Sequence, residues 1–261
     1  MDYQTLNLRR NDRVAVVTLN RPDMRNAFNE IMIAEITQAF RELGADADVR
    51  AVVLAANGVA FCAGADLNWM KKMAGYTHDE NRADAAQLAE MLRTIYTCPK
   101  PVVAKVQGDC YAGGMGLAAA CDITVAIETA NFCLSEVKLG LIPATISPYV
   151  IKAMGENAAR RYFLTAERFS AQEARRIGFV HEVVAAEGLD AAVDGIVTAL
   201  VANSPNAVRE AKRLVRDVAG REVSEALIAE TAERIAEIRS SEEGKEGVRS
   251  FLEKRKPGWV G

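Results

Sequence analysis

Three short segments of this 261-residue chain combine small residues and a lone acid in ways that can do chemistry. The first is Phe61-Cys62-Ala63-Gly64-Ala65-Asp66-Leu67, which follows an apolar run (51–55) and opens a helical stretch. Small residues there let a ligand approach the backbone, and a helix start leaves amide N–H groups free. The second, GDCYAGGMGL (108–117), also follows an apolar run and precedes Ala118-Ala119-Ala120. Free amides at such a helix start favour negative charge. In the third, LSEVKLGLIP (134–143), Glu136 stands among apolar and small residues. That setting raises a carboxyl pKa, as a general acid requires. Each segment alone also reads as ordinary structure: a tight strand-to-helix turn, close helix packing, a helix N-terminal carboxylate. Together they offer two amide donors and one acid. Two converging N–H groups make an oxyanion hole, each donor being worth about 3 kcal/mol in the transition state, and an enolate oxygen is the charge such a hole would hold.

Other chemistries are poorly served. The glycine spacing in 108–117 is not G-x-G-x-x-G, and no G-K-[ST] is present, so neither a dinucleotide site nor a P-loop is expected. The five cysteines, Cys62, Cys98, Cys110, Cys121 and Cys133, lack metal-ligand spacing and read as buried reduced thiols. The two histidines, His78 and His181, lie outside any Gly-rich or Cys-rich setting, so neither a zinc site nor a His-based triad is expected. A net charge of -3 argues against a general polyanion binder. The helix over 29–43 shows Glu30, Glu35, Arg41 and Glu42 and no lysine, hence no basic stripe. Arg209, Lys212, Arg213 and Arg216 are basic, but a solvated helix face explains them. No nucleic-acid partner is expected. The opening MDYQTLNLRR lacks a signal-peptide core, and no apolar run approaches the ~20 residues that span a bilayer. A cytoplasmic location and no membrane partner follow as expectations.

The elements that must position these segments alternate. Strands are expected at 13–19, 51–55, 101–106 and 123–127, and helices at 29–43 and 79–97. Alternation of this kind predicts an α/β layered core. After about residue 145 the pattern turns helical: 148–154, 158–164, 171–177, 189–202, 207–218, 223–238 and 242–254. Ser204-Pro205 is a natural break. We therefore expect a catalytic unit over 1–203 and a helical oligomerisation region over 204–261, whose apolar stripes must be buried on the chain itself or on a neighbour.

The three segments, in this order and spacing, resemble the enoyl-CoA hydratase/isomerase (crotonase) superfamily. The likeness runs from Leu19-Asn20-Arg21-Pro22 through Asn26-Ala27, 61–67, Gly113-Gly114, Ala120-Cys121-Asp122-Ile123, Glu136 and Gly140-Leu141-Ile142-Pro143 to Phe251-Leu252-Glu253-Lys254-Arg255. It implies an α/β fold, a crotonase-like spiral of ββα turns with a C-terminal helical trimerisation region, assembled as a homotrimer or homohexamer. It further implies that the amides of Ala65 and Gly113 hold a thioester carbonyl and that Glu136 exchanges the α-carbon proton. Met24, Arg25, Ala27, Ala63, Asp66 and Leu67 would line the coenzyme A groove, with Gly114, Gly116, Pro143 and Ala144 around the acyl group. Lys254 would meet a coenzyme A phosphate from an adjacent subunit. Coenzyme A is then part of the substrate, and no separate cofactor or metal is implied.

One departure stands out. Where typical hydratases of the family carry a second glutamate, this chain has Gly116. Asn68-Trp69-Met70 and residues 132–146 nonetheless resemble bacterial 3-methylglutaconyl-CoA hydratases; they and the related isohexenylglutaconyl-CoA hydratases can also lack that acid. The expected activity is hydration of a branched, carboxylated enoyl-CoA, with double-bond isomerisation as runner-up and a non-catalytic binding protein as a third class. The substrate's own carboxylate is expected to occupy the space Gly116 leaves and to help orient water, with Ser135, Thr145 or a backbone carbonyl as alternatives. Lys71, Lys72 and Arg82 are candidate partners for that carboxylate.

Overall fold

The computed structural model describes residues 3–260. Its core is built from a repeated step: a long strand, a short strand, then helix. Leading into it, β1 (Leu6–Asn11) forms an antiparallel hairpin with β2 (Val14–Leu19), which buries alternate residues, Ala15, Val17 and Leu19. After α1 (Glu30–Ala45) come the steps β3 (Ala51–Ala56), β4 (Ala60–Cys62), α2 (Leu67–Met73) and α3 (His78–Thr97); then β5 (Val102–Val106), β6 (Asp109–Tyr111) and α4 (Gly113–Ala120); then β7 (Ile123–Ile127), β8 (Asn131–Cys133) and α5 (Ser147–Thr165). The chain continues through β9 (Phe169–Ser170), α6 (Ala171–Arg176), β10 (Glu182–Val184), α7 (Leu189–Ala202), α8 (Pro205–Val218), α9 (Glu225–Ser240) and α10 (Glu242–Leu252).

The long strands make a six-stranded sheet in the order β1-β2-β3-β5-β7-β10, parallel from β2 onward. The short ones make a four-stranded sheet, β4-β6-β8-β9, whose first three strands are parallel. Each step thus adds one strand to each sheet before its helix, and the chain is an α/β spiral of ββα turns. Burial on both faces explains why β3 and β5 read as continuous apolar runs rather than alternating ones.

The sequence reading placed β2, β3, β5 and β7 and nearly all helices within a residue or two. It expected separate helices at 148–154 and 158–164, and the span α5 is indeed two helices meeting at a kink at the non-helical Gly155 (φ 76°, ψ 156°). It expected nothing at β1, β4, β6, β8, β9 or β10. The five cysteines are free and buried, as expected. His78 lies exposed on α3, and His181 Nδ1 accepts from the Thr124 N–H at 3.0 Å, a packing role.

The C-terminal helices are tied to the spiral by polar anchors. Lys212 Nζ on α8 donates to Asp122 Oδ2 at 2.7 Å and to the Lys100 carbonyl at 3.0 Å, its side chain only 8% exposed. Arg50, itself buried, donates to the Trp259 carbonyl at 2.7 Å and to the Asn203 carbonyl at 2.5 Å. Among the described residues no helix is long and apolar enough to cross a membrane.

Candidate active site

The second sheet is what assembles the site. β4, β6 and β8 lie side by side and point the same way, with Cys62 paired to Cys110 and Tyr111 to Cys133. Ala65 comes three residues after the end of β4, Gly113 two after the end of β6, and Glu136 three after the end of β8. The three groups singled out in the sequence therefore leave adjoining parallel strands at the same edge. Ligands of parallel α/β sheets are generally found at these carboxyl ends.

The first donor sits in a turn whose other backbone groups are spent. Ala63 N–H donates to the Arg25 carbonyl (3.0 Å), Phe28 N–H to the Gly64 carbonyl (2.9 Å) and Asp66 N–H to the Phe28 carbonyl (3.0 Å). The N–H of Ala65 between them has no acceptor among the described residues. Gly64 has φ 94°, which a side chain would strain, and a Cβ there would stand 3.0 Å from Ala112 Cβ and 3.7 Å from Gly113 N. The two turns are thus packed together.

The second donor opens α4. Its neighbour Ala112 is held at φ 48°, ψ −121°, a costly conformation for a residue with a side chain, and its N–H is fixed to the Cys133 carbonyl at 2.8 Å. That strained residue turns the chain from β6 into α4, where Gly113, as first helical residue, has no intrahelical partner for its N–H. Ala65 and Gly113 are both partly open, while Gly64, Gly114, Cys62 and Met115 around them are buried.

Glu136 begins a 3-10 turn, Glu136–Leu139, that follows β8. Its carboxyl is largely buried and Oε2 has no hydrogen-bond partner. Burial pushes its pKa above the ordinary carboxylate value, only partly offset by a backbone hydrogen bond. A carboxyl in this state is poised to exchange a proton rather than to hold a cation.

One expectation needs correction and another narrows. The Asp66 carboxylate is spent inside the protein and does not face a ligand. The residue is 2% exposed; Oδ1 accepts from the Asn68 and Trp69 N–H groups at the start of α2, and Oδ2 pairs with Arg21 at 2.7 Å. Burial raises its pKa, but Arg21 and the two amides outweigh it and hold the carboxyl below the usual range. Nor does Gly116 leave open space. A Cβ there would stand 2.2 Å from Ile146 Cγ2 and 2.8 Å from Ile146 Cβ, and Ile146 is 2% exposed. The place of a second acid is filled by an isoleucine, so neither a substrate carboxylate nor a glutamate side chain fits there.

The remaining expected residues scatter around this centre. Met24, Arg25 and Leu67 are exposed, and Ala63 is partly so. Ala27 and Gly114 are buried in the turns themselves. Pro143 is buried and Ala144 exposed in the loop joining Glu136 to α5. Lys254 is exposed, just past α10, which packs on α8 and α9. Lys72 is paired with Glu30 and Arg82 with Asp79, whereas no ion pair engages Lys71 among the described residues. Sequence reasoning missed Ile146 and the Ala112 strain altogether; Arg21 it quoted as part of a motif, without a role. A separate cleft of about 760 Å³ between the six-stranded sheet and α7 is lined by Arg50, Lys105, Asp190 and Asp194, and Lys105 is paired with Asp190.

The enoyl-CoA hydratase/isomerase family pattern matches residues 9–261. The chain belongs to this family. An enoyl-CoA hydratase structure from Shewanella pealeana is 45% identical, with a TM-score of 0.96 over 98% of this chain and 96% of that one. An enoyl-CoA hydratase/isomerase structure from Marinobacter aquaeolei is 35% identical, with a TM-score of 0.92 over 99% and 100%. A short-chain-enoyl-CoA hydratase of Clostridium acetobutylicum is 33% identical over 258 residues, 98% of this chain and 97% of that protein. An enzyme of the enoyl-CoA hydratase type acting on an acyl-CoA thioester is what this membership supports.

Proposed function

We propose that the protein hydrates an enoyl-CoA, or dehydrates its product, through an enolate held by the N–H groups of Ala65 and Gly113. The observation that carries this is the convergence of two unspent amides and one buried, half-bonded carboxyl at adjoining strand ends. As the hydroxyl of water bonds to the β-carbon, the thioester carbonyl becomes an enolate facing both amides. Glu136 then gives its proton to the α-carbon, the carbonyl re-forms, and the proton left over from water restores Glu136. Amides fixed in place beforehand stabilise the enolate without reorganising.

We further infer a branched, carboxylated substrate of the 3-methylglutaconyl-CoA kind. Three features support it: the sequence likeness at 68–70 and 132–146, the Ile146 wall that leaves Glu136 without a second acid, and two of the lysines that no ion pair engages among the described residues. These are Lys71 on α2 and Lys138 in Glu136's own turn, either of which can meet a substrate carboxylate. Assembly as a homotrimer or homohexamer belongs to the same proposal. Val215, Val248, Phe251 and Leu252 on the C-terminal helices are 60–81% exposed and need cover. The Ile146 wall also favours, as a second reading, a double-bond isomerase, which needs one carboxylate and no added water.

The experiment is a turnover panel of crotonyl-CoA, 3-methylglutaconyl-CoA and a 3-enoyl-CoA, followed at the conjugated enoyl-thioester absorbance. Hydration removes that band, and 3-methylglutaconyl-CoA should lose it fastest. Equal rates with crotonyl-CoA would remove the substrate assignment. Appearance of the band from the 3-enoyl-CoA, with no loss elsewhere, would make the protein an isomerase.

A further inference from the structure

We propose that Arg21 and Asp66 are positioning residues that couple the loop 22–27, exposed over 22–25, to the Ala65 donor, so that the thiol half of the substrate helps set the oxyanion geometry. The inference rests on the acyl-CoA reading above. Arg21 lies two residues past β2, and its guanidinium faces two ways. Nη1 donates to the Ala27 carbonyl, and Nη2 donates to Asp66 Oδ2 at 2.7 Å. The side chains are 19% and 3% exposed, so the pair is shielded from water.

Asp66 is held at each of its polar groups. Oδ1 caps α2 through the Asn68 N–H (2.7 Å) and Trp69 N–H (3.3 Å), Oδ2 takes Arg21, and the backbone N–H reaches the Phe28 carbonyl (3.0 Å). Ala65 is the residue immediately before it. Its orientation is therefore bound to that of Asp66 on one side and, through the Gly64 carbonyl and Phe28 N–H, to the end of the loop on the other. The Arg25 carbonyl, accepting from Ala63 N–H at 3.0 Å, adds a third tie. Loop and turn move as one unit, and Arg21 is its one charged fastening.

What loads that unit is the substrate's thiol half. With the carbonyl on Ala65 and Gly113, the sulfur and its chain leave over the adjoining surface, where Met24 (39% exposed), Arg25 and Leu67 (67% exposed) lie open. Contact there presses on the loop, and the fork of Arg21 carries the load to Asp66. A lysine offers a point charge and cannot bridge a carbonyl and a carboxylate with a rigid fork. Such coupling is one way in which binding energy far from the reacting bond is used in the transition state.

The test compares one acyl group on coenzyme A and on N-acetylcysteamine, which lacks the nucleotide and most of the thiol arm. In the wild type, kcat should be higher with the CoA thioester. In Arg21→Ala and in Asp66→Asn the ratio of the two kcat values should fall at least ~10-fold, on the scale expected when a donor is misplaced by a fraction of an ångström. KM for the CoA thioester should change less than the ratio does. Asp66→Asn keeps an oxygen to cap α2, so folding survives in at least one variant, checked by circular dichroism. A purely structural role lowers both rates alike and leaves the ratio unmoved. An unmoved ratio in both folded variants, or no CoA advantage in the wild type, overturns the proposal. Wild-type inactivity on both thioesters overturns the acyl-CoA reading and the coupling with it.

Discussion

Gly116→Ala should destabilise the protein, against the usual gain from removing a helical glycine. The new Cβ lies 2.2 Å from Ile146 Cγ2, where ordinary carbon contacts are roughly 3.5–4 Å, so Ile146 must retreat by more than about 1 Å. It cannot do so alone: its carbonyl accepts from the Tyr149 and Val150 N–H groups at 3.1 and 3.0 Å and anchors the start of α5. Overpacking of this kind costs about 1–3 kcal/mol, while replacing glycine within a helix returns about 1 kcal/mol. A net loss of about 1 kcal/mol is expected. Ile146→Ala alone should cost about 2–5 kcal/mol as a core truncation. It removes Cγ2 but keeps Cβ, which the added Cβ meets at 2.8 Å, a contact a smaller side chain can ease. The double variant should therefore be more stable than the sum of the singles by about 1 kcal/mol. Urea unfolding of all four proteins measures this cycle. Additivity within ~0.5 kcal/mol, or a stabilising Gly116→Ala, would refute the contact. Gly116→Glu, the change a sequence comparison suggests for supplying a second acid, inherits the same clash and should not restore crotonyl-CoA hydration while Ile146 is intact.

Three further outcomes are expected. Glu136→Gln, close in shape but unable to exchange a proton, should lower kcat at least ~10²-fold in a stopped assay; the pH profile of wild-type kcat/KM then tells the chemistry apart. With the Glu136 pKa raised by burial, hydration that draws its proton from Glu136 is lost as pH rises through that value, whereas isomerisation begun by the ionised form is gained. Ala65→Pro deletes an N–H that no protein group uses, so a variant shown to be folded should lose roughly 10²–10³ in kcat. Lys212→Met strands Asp122, whose pKa burial already raises despite Lys212; the loss should be about 2–4 kcal/mol at pH 7 and should shrink in acid, as Asp122 takes up a proton, with urea melts at both pH values as the check.

What was legible in the sequence depended on length. The central strands of the large sheet, β2, β3, β5 and β7, run five or six residues and are mostly apolar or alternating, and most long helices carry an apolar stripe, so these could be read from period alone, while the three-residue β10 and the largely polar β1 could not. The sheet that makes the site has strands of two or three residues: Ala60–Cys62, Asp109–Tyr111, Asn131–Cys133 and Phe169–Ser170. A run that short has no period, and its pairing is fixed only by the third dimension. The candidate residues were picked out by chemical type and family likeness, while the three parallel strand ends that bring them to one end of the sheet were not foreseen. Asp66 shows a limit of another kind. The resemblance put it at the coenzyme A groove, and nothing local revealed that Arg21, 45 positions earlier, would claim its carboxylate. Gly116 misled in a third way, because a missing side chain says nothing of the neighbour that fills its place.

This division bears on how the chemistry is set. On the proposed mechanism both oxyanion donors are backbone N–H groups, so most side-chain substitutions would leave them in place and act only through the turns that aim them. Those turns are tightly built: a Cβ on Gly113 would enter the Phe28 ring at 2.2 Å, and one on Gly114 would meet the Cys62 carbonyl at 2.5 Å. The hole is consequently the fixed part of the site, able to hold an enolate whatever follows. What becomes of that enolate is decided by the groups around Glu136, where the structure has an apolar wall at Gly116 and Ile146 on one side and an unspent Lys138 in the same turn. Substitutions that turn this enzyme from one enolate reaction to another should therefore map to Gly116, Ile146 and the 136–146 loop, and not to the turns that carry Ala65 and Gly113.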